Sequence, residues 1–585
     1  MAVDSSSARS RRTADSSSGP PPVSNATRYL CAAAYLDHGF RDRVLDELLF
    51  DPYRAVPPSY GGFDLMPVLH HCRRARAILT VRDALITLLF AAGLLLTPLT
   101  TIMWMLVLVP FVLLTVDSVR RAPLRVRVTI LLVGALLTLW PFTYGLAPML
   151  ADLTGSGSSY DSAYEPESSP GDSGGSTLVE ILFIPAATLT IVVVYRVAIY
   201  LTLAGTLRPG TPEPVTGVTH PKTSRRLDYI RRAQWGNVTM YANEDAFMGA
   251  GSIERSWSIA VELDRVRHDH VSRRRNEPVD IDPVELHTFV RERLKDMRDR
   301  VLRPNEGIQR LDIGDHVVTR GIFTVSDWHG DRARTAHPMI GQHGLPKCEV
   351  TPEEIEAIIR HPQGGVRYYQ RLTINNDGQE IRDPSGNLVA PAEDQEALTS
   401  AFIYLAVEGR MLYTQFVVTV LPPALGAYHV VDQLPTMTGV RIAWEAVKMF
   451  KLRLLRDVLA APTRVARTAV QAVRQSLMAP DPRKHIVYPY GARFSVRELG
   501  ASEDLQTHIQ VLDVAKYTRM IEQRLTEAVL DYLEDHEVDT GAYRLQAASV
   551  TMNTVSVGAG GSVSGPVAFG RQASATVHNS ARPGA

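Results

Sequence analysis

The chain has 585 residues, with 62 basic side chains balanced by 62 acidic ones. A formal charge of zero excludes a uniformly basic nucleic-acid binder and an acidic solvating protein. Three widely separated cysteines, Cys31, Cys72 and Cys348, supply no CxxC pair, zinc ligand set or disulfide framework.

Residues 1–28 are rich in Ser, Arg and Pro, lack an apolar signal-peptide core, and read as a disordered tail. Residues 29–77 read as a cytoplasmic helical segment, with Leu36, Phe40, Val44 and Leu48 at helical spacing. Apolar residues then concentrate in 84–204. No charge occurs from Ala84 to Val116, a stretch too long for one straight span and broken at Pro98. It predicts spans at 84–97 and 99–116, either two tilted spans or a re-entrant hairpin. Further spans are predicted at 128–150 and 178–204. Arg73, Arg74, Arg76 and Arg82 precede the first span, Arg120 to Arg127 separate the second from the third, and Arg208 to Arg226 follow the fourth. These basic clusters belong in the cytoplasm, and the acidic loop 151–177 belongs outside. An even number of spans follows, with both termini cytoplasmic and the chain in the cell membrane. Glu180 and Arg196 are the ionisable residues within the spans and read as interfacial anchors, so transport is a weak expectation.

Residues 219–437 predict a cytoplasmic α+β domain with a mixed or antiparallel sheet. Strands are expected at 237–241, 256–263, 316–323, 366–374, 401–407 and 411–421; Trp257, Ile259, Val261 and Leu263 alternate along the second. Helices are expected at 284–302 and 352–360. The Met248–Ser252 glycine run resembles a phosphate loop but lacks the GxGxxG spacing and a following Lys, so it reads as a turn.

The stretches Trp235-Gly-Asn-Val-Thr-Met-Tyr241, Ser256-Trp-Ser258, Leu421-Pro-Pro423 and Tyr428-His-Val-Val-Asp432 resemble uncharacterised multi-pass membrane proteins of actinobacteria. The resemblance implies location and architecture, and no activity.

Residues 438–479 form a basic amphipathic segment, with Ala443, Trp444, Val447, Phe450, Leu454 and Val458 on one arc. Arg441, Lys448, Lys451, Arg453 and Arg456 are its candidate membrane-surface residues, the alternative being the solvent face of a core helix. Residues 480–549 read as a C-terminal helical segment with a helix at 514–533, which suits packing on the domain or self-association. Residues 550–585 read as a Gly/Ser/Val-rich tail.

Candidates for chemistry are few. His316, Asp327, His329 and Asp331 offer an acid–base or metal set on a strand end and its loop. His268 and His270 form an HxH pair without an identifiable third ligand. No cofactor or metal motif is present. The expected function is binding: a membrane scaffold, sensor or adaptor presenting its cytoplasmic domain. A membrane-bound hydrolase using the His/Asp loop and a transporter or channel component are the alternatives. Expected partners are the lipid bilayer, a cytoplasmic protein and a second copy of the chain, with no nucleic acid.

Overall fold

The computed structural model describes residues 24–114, 119, 123–154, 173–210, 221–266, 277–303, 306–322, 338–341, 344–448, 453–477 and 488–552. Its first part is helical: α1 (Asn25–Leu36), α2 (His38–Leu45), α3 (Leu65–Leu96), α4 (Pro98–Leu113), α5 (Leu124–Thr154), α6 (Ser173–Thr206) and α7 (Pro221–Ala233). Asp64 caps α3 by accepting from the Met66 N–H. α3 then runs without a break from the segment read as cytoplasmic into the first apolar stretch. Its four arginines interrupt the hydropathy but not the helix, because Arg is a good helix former.

The two halves of α3 have different surroundings. Val68, Leu69, Cys72 and Ala75 are buried in a core shared with α1, α2, α7 and Ile199, Leu203 and Leu207 at the end of α6. Beyond Asp83, Leu88, Leu95 and Leu96 are 65–85% exposed, as are Phe183, Leu189 and Val194 on α6 at 55–61%. Leu65–Leu96 and Leu182–Thr206 are long and apolar enough to cross a membrane, by length and composition; Pro98–Leu113 is a shorter apolar helix. α3 breaks at Thr97, and Pro98 starts α4 at a position that needs no N–H donor. α4 folds back on α3. A Cβ on Gly93 would meet the Thr101 hydroxyl at 2.6 Å, and Met105 packs beside Phe90.

The second part is built on β1 (Val238–Tyr241), β2 (Ser252–Glu262), β3 (Leu311–Arg320), β4 (Val366–Asn375), β7 (Leu398–Glu408) and β8 (Met411–Leu421). They form one mixed sheet in the order β1-β3-β4-β7-β8-β2, in which β1 and β3 are parallel and the other pairs antiparallel. The α+β class with a mixed sheet therefore stands. The polar stretch between β4 and β7 holds a small hairpin, β5 (Ile381–Arg382) with β6 (Leu388–Ala390).

α8 (Pro283–Asp299) and α15 (His508–Asp535) cover one face of the sheet, meeting Trp257, Ile259, Leu372, Ile403 and Phe416 in one core. α9 (Pro352–Ile359), Tyr488, Tyr490 and Ala55 extend that same face over Val317 and Tyr368, and the opposite face is covered by Tyr60 of the N-terminal segment and Phe247. Tyr60 packs with Phe247, Val318, Tyr369 and Phe402. The N-terminal segment is thus part of two cores, one around α3 and one on the sheet. The remaining helices are α10 (Val430–Gln433), α11 (Gly439–Lys448), α12 (Arg453–Leu459), α13 (Ala461–Leu477), α14 (Val496–Leu499) and α16 (Gly541–Met552). Of the tails read at 1–28 and 550–585, residues 24–28 instead form the cap and first turn of α1, where Arg28 is buried, and residues 550–552 end α16; residues 1–23 and 553–585 lie outside the described residues.

Candidate functional site

Where α3 passes from buried to exposed, Asp83 is 2% exposed and accepts from two guanidiniums. Arg82 Nη2 lies 2.7 Å from its Oδ1, and Arg464 Nε on α13 lies 2.6 Å from its Oδ2. A buried carboxylate is tolerated only when paired and hydrogen-bonded, and here one carboxylate joins α3 to α13. The Arg82 guanidinium also stacks over the Tyr195 ring of α6, 4.5 Å from its centroid. Arg464 reaches back to Asp457, 3.9 Å away. Near this network, burial and the charge of Arg41 push the His38 imidazole down to about 4, so it stays neutral at physiological pH.

α11, α12 and α13 form a helical hairpin that rises to this layer and returns. α11 lies against α6, with Ile442 and Ala446 buried in the core that holds Leu203. Arg196 Nη1 donates to the Ala446 carbonyl at 3.4 Å, near the end of α11. Arg196 therefore joins α6 to α11. At the top of the hairpin, Val458 of α12 and Ala461 pack with Ile86 and Phe90 of α3. α13 then descends along α3, from Arg464 beside Asp83 to Gln471, whose Oε1 accepts from Arg76 at 2.7 Å.

The basic residues of this hairpin divide into described and undescribed ones. Arg441, Lys448 and Arg456 are exposed. Lys451 and the side chain of Arg453 lie outside the described residues. The arc divides: Val458 is buried and Trp444 is exposed. Ile442 and Ala446 face the core, whereas Val440 and Trp444 are 84% and 66% exposed.

The His/Asp set gives a different result. His316 sits in the middle of β3, fully buried. Its Nε2 faces the Ala246 carbonyl at 2.9 Å and must carry the proton, so Nδ1 accepts from the Tyr60 hydroxyl at 2.6 Å. Burial pushes its imidazole down to about 3. With both nitrogens engaged and no path to solvent, His316 is a core residue and has no free nitrogen for a metal or a proton-transfer role. Asp315 points to the other face, paired with Arg291 and bonded by the Tyr368 hydroxyl at 2.9 Å. Asp327, His329 and Asp331, and the His268/His270 pair, lie outside the described residues. Among the described residues, no three His, Cys, Asp or Glu side chains are grouped to hold a metal. The glycine run is a turn, with Gly249 and Gly251 at φ +98° and +91°. Their N–H groups donate to Glu498 Oε1 at 2.6 and 2.9 Å, so an internal carboxylate fills the loop.

A second polar cluster carries no signal that single-sequence reading exploits. Glu396, at φ +55°, lies 2.8 Å from His429 Nε2. Its hydrogen bond raises the imidazole above its ordinary range. Beside it, Asp432 accepts from Arg28 Nη2 and the Tyr29 hydroxyl, both at 2.7 Å, and Arg28 Nε donates to the Leu207 carbonyl at 3.1 Å. The cluster ties α1, the end of α6 and the start of β7 together. Tyr428 to Asp432, one of the stretches that carries the resemblance, thus has a fastening role.

No curated protein and no solved structure matches the chain. A family model described as an AbeC-like domain matches residues 256–564. The match runs from β2 through the sheet and the helical hairpin and past α16. It covers 309 of the chain's 585 residues, and the chain therefore belongs to the family of proteins with an AbeC-like domain.

Proposed function

We propose that this protein is a multi-pass integral membrane protein that works by binding, as a scaffold, sensor or adaptor presenting a rigidly held cytoplasmic α+β domain. The observation that carries the reading is the change along α3 and α6. Their outer halves expose leucines, valines and phenylalanine, and their inner halves share a core with α1, α7 and α11. Exposed apolar surface of this extent is unfavourable in water and favourable in lipid.

The lengths suggest how the four apolar helices sit. α3 from Ala84 to Leu96 extends about 20 Å at 1.5 Å per residue, short of a hydrocarbon core about 30 Å thick. Because α4 returns along α3, the pair suits a re-entrant hairpin entering from the cytoplasmic side. α5 and α6 are long enough to span, at about 45–50 Å each by the same rise. Both termini then face the cytoplasm, as the basic loops require. The hydrolase reading is weaker, because His316 is committed to Tyr60 and Ala246.

The test uses the full chain, since a fragment starting after α6 would lose Tyr60 and uncover Phe402 and Val318. The protein is cross-linked in its native membrane, extracted in detergent and read by mass spectrometry. The expected result is one cytoplasmic protein, cross-linked to residues 221–552 and rebinding the purified chain at fixed stoichiometry. Release of the chain from membranes by alkaline carbonate would refute the integral-membrane reading. Cross-links confined to the chain itself would refute the adaptor reading.

A further inference from the structure

The helical hairpin of α11 to α13 has an outer surface that the core does not explain. Ile442 and Ala446 face α6, and the opposite side of α11 carries Val440, Arg441, Trp444 and Lys448. Two large apolar side chains stand beside two cations, all exposed. Among the described residues, Lys448 is paired with Glu445, at 3.8 Å. Arg456 on α12 is exposed at the top of the hairpin, where Val458 touches Ile86 and Phe90 at the base of the apolar part of α3. Arg125 and Arg127, also exposed, start the next apolar helix. From Arg441 to Arg474 the chain has eight basic residues against Glu445 and Asp457. Both acids are engaged, Glu445 by Lys448 and Asp457 by Arg464.

We propose that this surface binds the anionic phospholipid headgroups of the cytoplasmic leaflet. Arg441, Lys448 and Arg456 pair with lipid phosphates, and Trp444 and Val440 enter the boundary between headgroups and acyl chains. The inference rests on the integral-membrane reading and extends it by naming the lipid class. Two arguments select a lipid rather than a protein as the occupant. The surface lies on α11, which packs along α6 and accepts from Arg196, two residues from the exposed Val194. It also combines tryptophan with basic residues, the chemistry favoured at a membrane interface. The Asp83 network holds Arg464 of α13 on α3, which fixes the hairpin that carries these cations.

The test places the full chain in vesicles containing spin-labelled phosphatidylglycerol or phosphatidylcholine and measures the relative association of each lipid with the protein. The expected preference for phosphatidylglycerol is several-fold, since each basic residue near the surface is worth roughly a fivefold change. It falls towards one in the triple variant R441Q/K448Q/R456Q and with added salt. The variant R300Q/R303Q, which removes two exposed cations on the sheet domain, leaves the preference unchanged. In parallel, brominated phosphatidylglycerol quenches the native chain more than Trp444→Phe, a readout that does not depend on the charge variants folding. Equal association of both lipids with a chain that floats with the vesicles overturns this proposal alone. A chain that does not float overturns the membrane reading as well.

Discussion

Removing the Asp83 carboxylate, as in Asp83→Ala, should release the helical hairpin from α3. The carboxylate is 2% exposed, and Arg464 is 25% exposed, so the pair is weakly screened by solvent. Three bonds within 3.0 Å reach it besides the longer one from Arg464 Nη2: Arg82 Nε and Nη2 on Oδ1, and Arg464 Nε on Oδ2. Breaking a buried pair by deleting one partner costs about 3–5 kcal/mol, because the other charge is left uncompensated. Arg82 keeps the face of Tyr195, so most of the cost falls on Arg464 and on the seating of α13. The assay is hydrogen exchange of the full chain, followed at amides of residues 453–477. A loss near the lower end of that range, taken up as local opening, accelerates exchange about a hundredfold there and leaves β7 and β8 protected. The double variant Asp83→Ala with Arg464→Met removes the stranded charge and should recover part of the protection. Unchanged exchange at 453–477 in a folded Asp83→Ala chain would refute the clamp.

Tyr60→Phe keeps the ring that packs on Phe402 but leaves His316 Nδ1 without its donor; the expected loss is about 1–3 kcal/mol, read as a lower unfolding midpoint, and an unchanged midpoint would deny that bond. Burial holds the imidazoles of His287 and His316 down to about 4 and about 3. Such groups stabilise the fold above the unfolded value near 6.5, and stability is lost as pH falls from there towards 4, because the unfolded chain takes up protons the native chain refuses. Each contributes a slope of about 1.4 kcal/mol per pH unit; His287→Gln should remove one such slope from the acid limb, and an unaltered limb would contradict the assignment. In the opposite sense, His429 is raised by Glu396, so its contribution is full below the unfolded value and fades as pH rises through the folded one; His429→Gln should flatten the neutral limb. If α3 and α4 form a re-entrant hairpin, Leu96→Cys in a cysteine-free background resists membrane-impermeant thiol reagents from both sides, whereas labelling from the outer face would mean a full span.

Much of this fold can be read from local pattern. The alternation of Trp257, Ile259 and Val261 marks β2, and the spacing of Leu286, Val290, Leu294 and Met297 marks α8, because one face of each meets the same core. Alternation also held an unused signal for His316. It shares a strand face with Val318, two residues on, and a histidine in that phase belongs to the core rather than to a loop. Other features have no local signature. Tyr60 lies in a Pro- and Gly-rich stretch without periodicity, and its partner is 256 residues away. Asp83 looks like an ordinary charge at the end of a basic run until Arg464, 381 residues later, is brought beside it. Such contacts are set by the packing of whole elements.

Those distant contacts bear on how the protein can work. An adaptor on a flexible tether needs only an anchor and a linker, and would show few contacts between its membrane helices and its domain. Here α3 starts and α6 ends inside the core that holds α1, α7 and α11. Tyr60 closes one face of the sheet, and Asp432 bonds Arg28 and Tyr29 of α1. A shift of α3 against α6 would therefore strain the Arg82–Tyr195 stack, the Asp83 clamp and the seating of α11 together. Under the proposed membrane reading, this coupling would hold the domain in fixed orientation to the bilayer, and a change of lipid charge at Lys448 and Arg456 would act on the Asp83 clamp through α12 and α13. Hydrogen exchange at α13 in vesicles with and without anionic lipid would measure that coupling. Equal rates in both would leave the hairpin as a static anchor.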